Sequence, residues 1–204
     1  MRRTKLWNII FSEKTKFEVN RNKVKWYKYH GEETLFKSKS NPNFSVMVWG
    51  GISYKGKLGL AEVKGRLTSD AYIKLLNNNL IPQANELYKD KNWLFQQDNA
   101  PAHTGKKVVE WFKDKKINLI KHPAISPDMN PIESIWTKVK TFVEKKHPKN
   151  KKELLKYLNL GWSHITRDEI RRTIGHFKKI ICKAVEEANG RRVDIKSYRR
   201  KNNI

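Results

Sequence analysis

WLFQQDNAPAHT, Trp93 to Thr104, and SPDMNPIESIW, Ser126 to Trp136, are the stretches that decide the fold. In the first, an apolar run reads as a short buried strand, residues 93–97, that hands over directly to Asp98. In the second, Asn130 is a good helix N-cap, Pro131 suits the first helical position and Glu133 falls at the third. Each carboxylate has a plain structural explanation. Asp-Asn after a strand is an ordinary turn, and an acidic residue in a first helical turn is favoured by the helix dipole. Taken together they offer another reading. A strand end and a helix start can deliver two carboxylates to one divalent ion, the ligand chemistry of phosphoryl transfer.

Outward from these motifs, short strands come first and then alternate with helices. Strands are expected at residues 6–11, ended by Ser12 and Glu13, and at 16–19 and 24–29, the latter two as a hairpin. Residues 32–42 read as a loop. Residues 44–52, FSVMVWGGI, are strongly β-prone, with Gly50 and Gly51 marking a bulge or bend, and residues 58–63 are placed beside them. Ser69 is read as the cap of a helix over 70–88 that buries Tyr72, Ile73, Leu76, Leu80 and Ile81 and is interrupted or kinked by Pro82. Thr104 is read as the cap of a helix to residue 116 with Val108, Val109 and Phe112 inward. A short strand is expected at 117–121, a turn at 124–130, and a helix at 131–146 burying Ile132, Ile135, Trp136 and Val139. After a basic linker, residues 153–188 read as helical and 191–204 as a basic tail. This order predicts an α/β fold: a mixed β-sheet flanked by helices, with a helical basic C-terminal extension.

The chain has 204 residues, of which 38% are hydrophobic and 11% aromatic, so it can bury a core. Its net charge of +24 points to a polyanionic partner, foremost nucleic acid. Trp26 and Tyr27 among Lys23, Lys25 and Lys28 suit either a base-stacking platform or an ordinary amphipathic hairpin. Cys182 is the only cysteine, which rules out an internal disulfide and any zinc site built on a cysteine cluster. No apolar run reaches the length of about 18 residues that a membrane span needs.

The two motifs together resemble the DDE transposases of the Tc-one/mariner superfamily. The shared residues are Gln97, Asp98, Asn99, Pro101 and His103 in the first motif, and Ser126, Pro127, Asp128, Asn130, Pro131, Glu133 and Trp136 in the second. The interval of 34 residues between Asp98 and Glu133, positions 99–132, and the terminal glutamate resemble the Tc-one branch. Val48-Trp49-Gly50-Gly51 and the segment Phe11 to Phe17 match further stretches of the family, so the likeness runs from about Leu6 to Arg192.

The resemblance implies a ribonuclease-H-like catalytic domain over residues 1–150, with 151–204 packed on it. It implies metal-dependent DNA strand cleavage and strand transfer, as in cut-and-paste transposition and DNA integration. Three carboxylates, Glu13, Asp98 and Glu133, would be catalytic and would hold two Mg2+ ions, with Mn2+ as a substitute. Asn99, His103 and Asn130 would support them. DNA and a homodimer on DNA are the implied partners, with no membrane or small-molecule substrate, and the nucleus is the implied location.

Two departures shape the expectation. The family's first catalytic position is an aspartate, whereas the matching residue here is Glu13. The extra methylene moves the carboxylate by roughly 1.5 Å, and metal sites ask for placement within about 0.5 Å. Activity is therefore expected to be impaired. The family also carries paired helix-turn-helix units ahead of this region. None precedes Leu6, so the chain is expected to be N-terminally truncated and to bind DNA mainly without specificity. Set beside the enzyme are a non-catalytic, transposase-derived nucleic-acid-binding relic and, more remotely, an unrelated basic nucleic-acid-binding protein.

Overall fold

The computed structural model describes residues 6–19, 44–89, 92–120 and 130–188, with side chains to residue 180. A turn of 3-10 helix, Leu6–Asn8, leads into β1, Ile9–Val19. Then come β2, Phe44–Ser53, β3, Gly56–Lys57, and β4, Ala61–Val63. Helix α1, Ser69–Leu75, runs through a π-turn at Leu76–Leu80 into α2, Ile81–Leu87. Strand β5, Leu94–Gln96, is followed by α3, Pro101–Thr104, α4, Lys106–Asp114, and β6, Asn118–Leu119. Helices α5, Ile132–Lys145, α6, Lys151–His164, and α7, Arg167–Ala188, complete the described chain.

The strands form one mixed sheet in the order β3-β2-β1-β5-β6, with β4 also on β2. β1 pairs antiparallel with β2 and parallel with β5, and β5 is parallel to β6. Alternation along β1 sorts its side chains between two layers. Ile9, Phe11 and Phe17 enter a core with Ile132, Trp136, Leu158, Trp162 and Ile174. Ile10 enters the other core with Trp49, Tyr72, Leu76, Phe95 and Phe112. The sheet is therefore sandwiched between α5, α6 and α7 on one face and α1, α2 and α4 on the other. Helices α6 and α7 share the first core with β1, β2 and α5.

Several local expectations are corrected. Residues 6–11 and 16–19 are not separate strands. A single eleven-residue strand passes straight through Ser12 and Glu13, because ladder pairing with β2 is unbroken from Ile10 to Val19. Gly50 and Gly51 make no bulge, since they pair in register with Glu13 and Ser12. Their smallness serves packing instead. A Cβ on Gly50 would sit 2.8 Å from Cη2 of Trp136, and one on Gly51 would sit 3.3 Å from Leu58. Thr68 rather than Ser69 caps α1, its hydroxyl accepting from the Ala71 N–H. The expected interruption at Pro82 takes the form of a π-turn just ahead of it, after which Pro82 sits in the first turn of α2, where a backbone donor is not required.

Gly105, not Thr104, precedes α4, and the Thr104 hydroxyl donates back to the Ala100 carbonyl. Val108 and Phe112, one turn apart, take the inward stripe of that helix, which leaves Val109 40% exposed. The C-terminal helical stretch is two helices, broken at Ile165 and Thr166. The strand proposed at 24–29, the loop at 32–42, the turn residues 124–129 and the tail from 191 lie outside the described residues.

Candidate active site

Glu13 stands mid-strand on β1 and belongs to the alternating set that faces α5. Its neighbour across the ladder is Gly50, over which the Trp136 indole lies. Glu13 is half-buried, and one of its carboxylate oxygens accepts the Lys14 backbone N–H at 2.9 Å. Burial, followed by the charges of Asp98 and Glu133, pushes its pKa from 4.5 up to about 7, against the opposing pull of the Lys14 N–H and ammonium. Glu13 thus feels both other carboxylates although the three come from different elements.

Asp98 follows β5 by two residues. β5 runs parallel to β1, with Phe11 opposite Gln96, so Asp98 emerges level with Glu13. Ser12 fixes that register, donating its hydroxyl to the Gln96 carbonyl at 3.0 Å. Burial tends to raise the Asp98 pKa, but the hydrogen bond and charge of His103, the Ala100 N–H and Lys14 outweigh it and hold the carboxyl below its ordinary value. Nδ1 of His103 lies against Oδ1 of Asp98, and the Lys14 ammonium is 3.9 Å from Oδ2.

His103 is itself held. Its ring stacks on Tyr72, with centroids 4.0 Å apart. The Tyr72 hydroxyl donates to the Gln97 side chain at 2.8 Å, and the Gln97 amide donates to the His103 carbonyl at 3.0 Å. Nε2 of His103 is buried and has no hydrogen-bond partner among the described residues. Tyr72 was legible as core but not as a site residue. Its place in the apolar stripe of α1 says nothing about where its hydroxyl reaches.

Glu133 lies in the first turn of α5. Pro131 rather than Asn130 is the N-cap of that helix, which makes Glu133 its second residue; Asn130, just ahead, accepts the Ile132 N–H on its side chain and the Glu133 N–H on its carbonyl. The Asn130 amide also donates to the Ser12 carbonyl at 3.0 Å, tying the helix start to the residue before Glu13. Asn99 is exposed on the turn after Asp98. Among the described residues, no three His, Cys, Asp or Glu side chains stand close enough to cage an ion. Local partners account for part of this spread: Glu13 is drawn to the Lys14 N–H, and Asp98 to His103 and Ala100. The donor set still suits a hard cation. It offers hard carboxylate oxygens, and Cys182 is the only cysteine in the chain.

Residues 8–155 match the family model described as DDE superfamily endonuclease. The chain is 32% identical over 146 residues to the transposable element Tcb1 transposase of Caenorhabditis briggsae, covering 72% of this chain and 53% of that protein. It is 35% identical over 131 residues to the Tc3 transposase of Caenorhabditis elegans, covering 63% and 40%. The chain thus spans about half the length, or less, of these two relatives. Among solved structures, the Mos1 transposase paired-end complex with left transposon end superposes with a TM-score of 0.75 at 18% identity, covering 95% of this chain and 58% of that one. The catalytic domain of Mos1 mariner transposase gives 0.67 at 15% identity, covering 95% and 87%. These likenesses show a ribonuclease-H-like fold. The chain belongs to the DDE superfamily endonuclease family, as a catalytic domain of the Tc1/mariner transposase type.

Proposed function

We propose that this chain carries out metal-dependent cleavage and strand transfer of DNA, with Glu13, Asp98 and Glu133 as the ligand set for two Mg2+ ions. The observation that carries the proposal is placement: the parallel register of β1 and β5 brings Asp98 level with Glu13, and the Asn130 bond to the Ser12 carbonyl ties the start of α5, which bears Glu133, beside the same strand. When bound, such a metal pair supplies activation of an attacking oxygen and stabilisation of a leaving one in an in-line displacement. The protein's own residues do the positioning. His103 and the Ala100 N–H orient Asp98. Asn130 sets the start of α5, and with it Glu133, against β1. Lys14 offsets part of the negative charge beside Asp98.

The partner is DNA, drawn by a net charge of +24, and contact with it is largely non-specific in this chain. The relatives' role in transposable elements supports a nuclear location, integration chemistry and a homodimer on DNA. Glu13 in place of aspartate makes turnover slow. The second reading, a nucleic-acid-binding relic, is favoured by that same residue, because one extra methylene lengthens the ligand without disturbing the strand that carries it.

Supercoiled plasmid with Mg2+ or Mn2+ separates the two. Nicking by the native chain that disappears in Asp98→Ala supports the enzyme. No nicking by the native chain or by a folded Glu13→Asp variant supports the relic.

A further inference from the structure

Beside the catalytic helix lies a cleft of about 350 Å³ between α5 and α7. Its walls carry Ser134 and Lys138, one turn apart on α5, and Glu169, Arg172, Thr173 and His176 on α7. Pro131 and Phe177 complete the lining. Pro131, Ser134 and Glu133 all stand at the start of α5, so the cleft opens at the same end of that helix as the candidate ligand. Arg172 and His176, also one turn apart, are exposed.

The cleft's one carboxylate is already engaged. Oε1 of Glu169 accepts from Lys138 at 3.1 Å, and Oε2 accepts from the Thr166 N–H at 3.0 Å and the Thr166 hydroxyl at 3.3 Å. Lys138 and Glu169 therefore neutralise one another. The guanidinium of Arg172, the imidazole of His176 and the hydroxyls of Ser134 and Thr173 make no hydrogen bond or ion pair among the described residues. A planar guanidinium with an imidazole and two hydroxyls is a donor set matched to a phosphate group.

We propose that the α5–α7 cleft is a backbone-anchoring subsite that holds a DNA phosphodiester next to the scissile position, through Arg172, His176, Ser134 and Thr173. This rests on the reading of Glu133 as part of the active site, but binding at the cleft does not depend on cleavage. Such a contact fixes the register of the strand against the carboxylates and carries no sequence information.

The test is binding of a fluorescein-labelled DNA duplex to the full chain, by anisotropy, in EDTA and across a series of salt concentrations. Without a divalent ion no strand is cut, so the result is independent of whether the carboxylates catalyse. Arg172→Ala is expected to weaken binding roughly tenfold for every sequence and to lower the salt slope by about one. Ser134→Ala, on the opposite wall, is expected to weaken it less and to leave the slope unchanged. Lys113→Ala, which removes a charge from exposed α4 on the other face of the sheet, is the control. If Arg172→Ala and Lys113→Ala, both folded by circular dichroism, lose affinity equally, the cleft is only part of a diffuse basic surface and the proposal fails. If Arg172→Ala weakens binding selectively but the chain never nicks DNA, the cleft stands and the catalytic reading falls.

Discussion

The Asn130 side-chain amide donates to the backbone carbonyl of Ser12 at 3.0 Å, across 118 residues of sequence. This bond fastens the start of α5 to the middle of β1. It thereby sets Glu133 relative to Glu13, the residue beside Ser12. Asn130 is only 4% exposed, so water cannot replace the bond.

Asn130→Ala takes the side-chain partner away from the Ser12 carbonyl and from the Ile132 N–H. An unsatisfied buried group costs about 1–3 kcal/mol, which urea unfolding measures. Nicking should fall further than stability explains, because the helix start loses its tether. A variant that loses stability but keeps full activity would show that Asn130 does not position Glu133.

Glu13 titrates in an unusual range, and the sign of its effect is definite. Its folded pKa of about 7 lies above the ordinary 4.5. The metal-free fold therefore loses stability as pH rises from 4.5 to about 7, by at most about 3 kcal/mol, and solvent screening at this half-buried position reduces that figure. Asp98, held low, acts the other way: the stability it contributes is lost as pH falls below its ordinary 3.8. Thermal melts of Glu13→Gln should show a flatter profile between pH 5 and 7. An unchanged profile would assign the effect to other groups.

Divalent metal should reverse the Glu13 penalty at neutral pH. A ligand at a hundredfold excess over its Kd stabilises by about 2.7 kcal/mol, so Mg2+ should raise Tm for the native chain and leave Asp98→Ala unmoved. Glu13→Asp, which restores the shorter ligand, should raise the nicking rate on the order of a hundredfold.

Gly50→Ala overpacks the core beside Glu13. The new Cβ would lie 2.8 Å from Trp136 and 3.1 Å from Leu60. Trp136 has no room to yield, being fully buried and stacked on Trp162 with centroids 4.8 Å apart. A loss of about 1–3 kcal/mol follows, with a change in tryptophan fluorescence. A variant as stable as the native chain would mean that the indole has room to move.

Lys57 donates to the carbonyls of Trp162, Ser163 and Ile165 at 2.6, 2.7 and 2.8 Å, closing the break between α6 and α7. Lys57→Met keeps most of the stem and removes the donor. It should cost about 1–3 kcal/mol and speed hydrogen exchange at residues 162–166 ahead of the rest of α6. Uniform exchange would place the cap elsewhere.

Most of the fold was legible because its strands and helices carry clear periodicity. The stripe Ile132, Ile135, Trp136 and Val139 predicted which face of α5 is buried, and all four residues are. Residues 6–11 and 16–19 were misread as separate strands because Ser12 and Glu13 look like a stop. Polar residues in mid-strand are tolerated when the sheet supplies partners, as the Gln96 carbonyl does for Ser12. The glycine pair looked like a bulge because sequence cannot show that Trp136, some 86 positions away, presses on it.

The sequence by itself determined the family, the sheet flanked by helices, and the three carboxylates worth watching. Local pattern and motif spacing are written in consecutive residues. Only the tertiary structure decided how those carboxylates are held. Asp98 is oriented by His103, His103 by Tyr72 and Gln97, and the start of α5 by Asn130 on Ser12. The burial that lifts Glu13 to about 7 arises where β1 packs beneath α5, and the cleft beside Glu133 arises where α7 crosses it. Such properties depend on groups far apart in the chain meeting where water is excluded, and no run of neighbouring residues encodes that meeting.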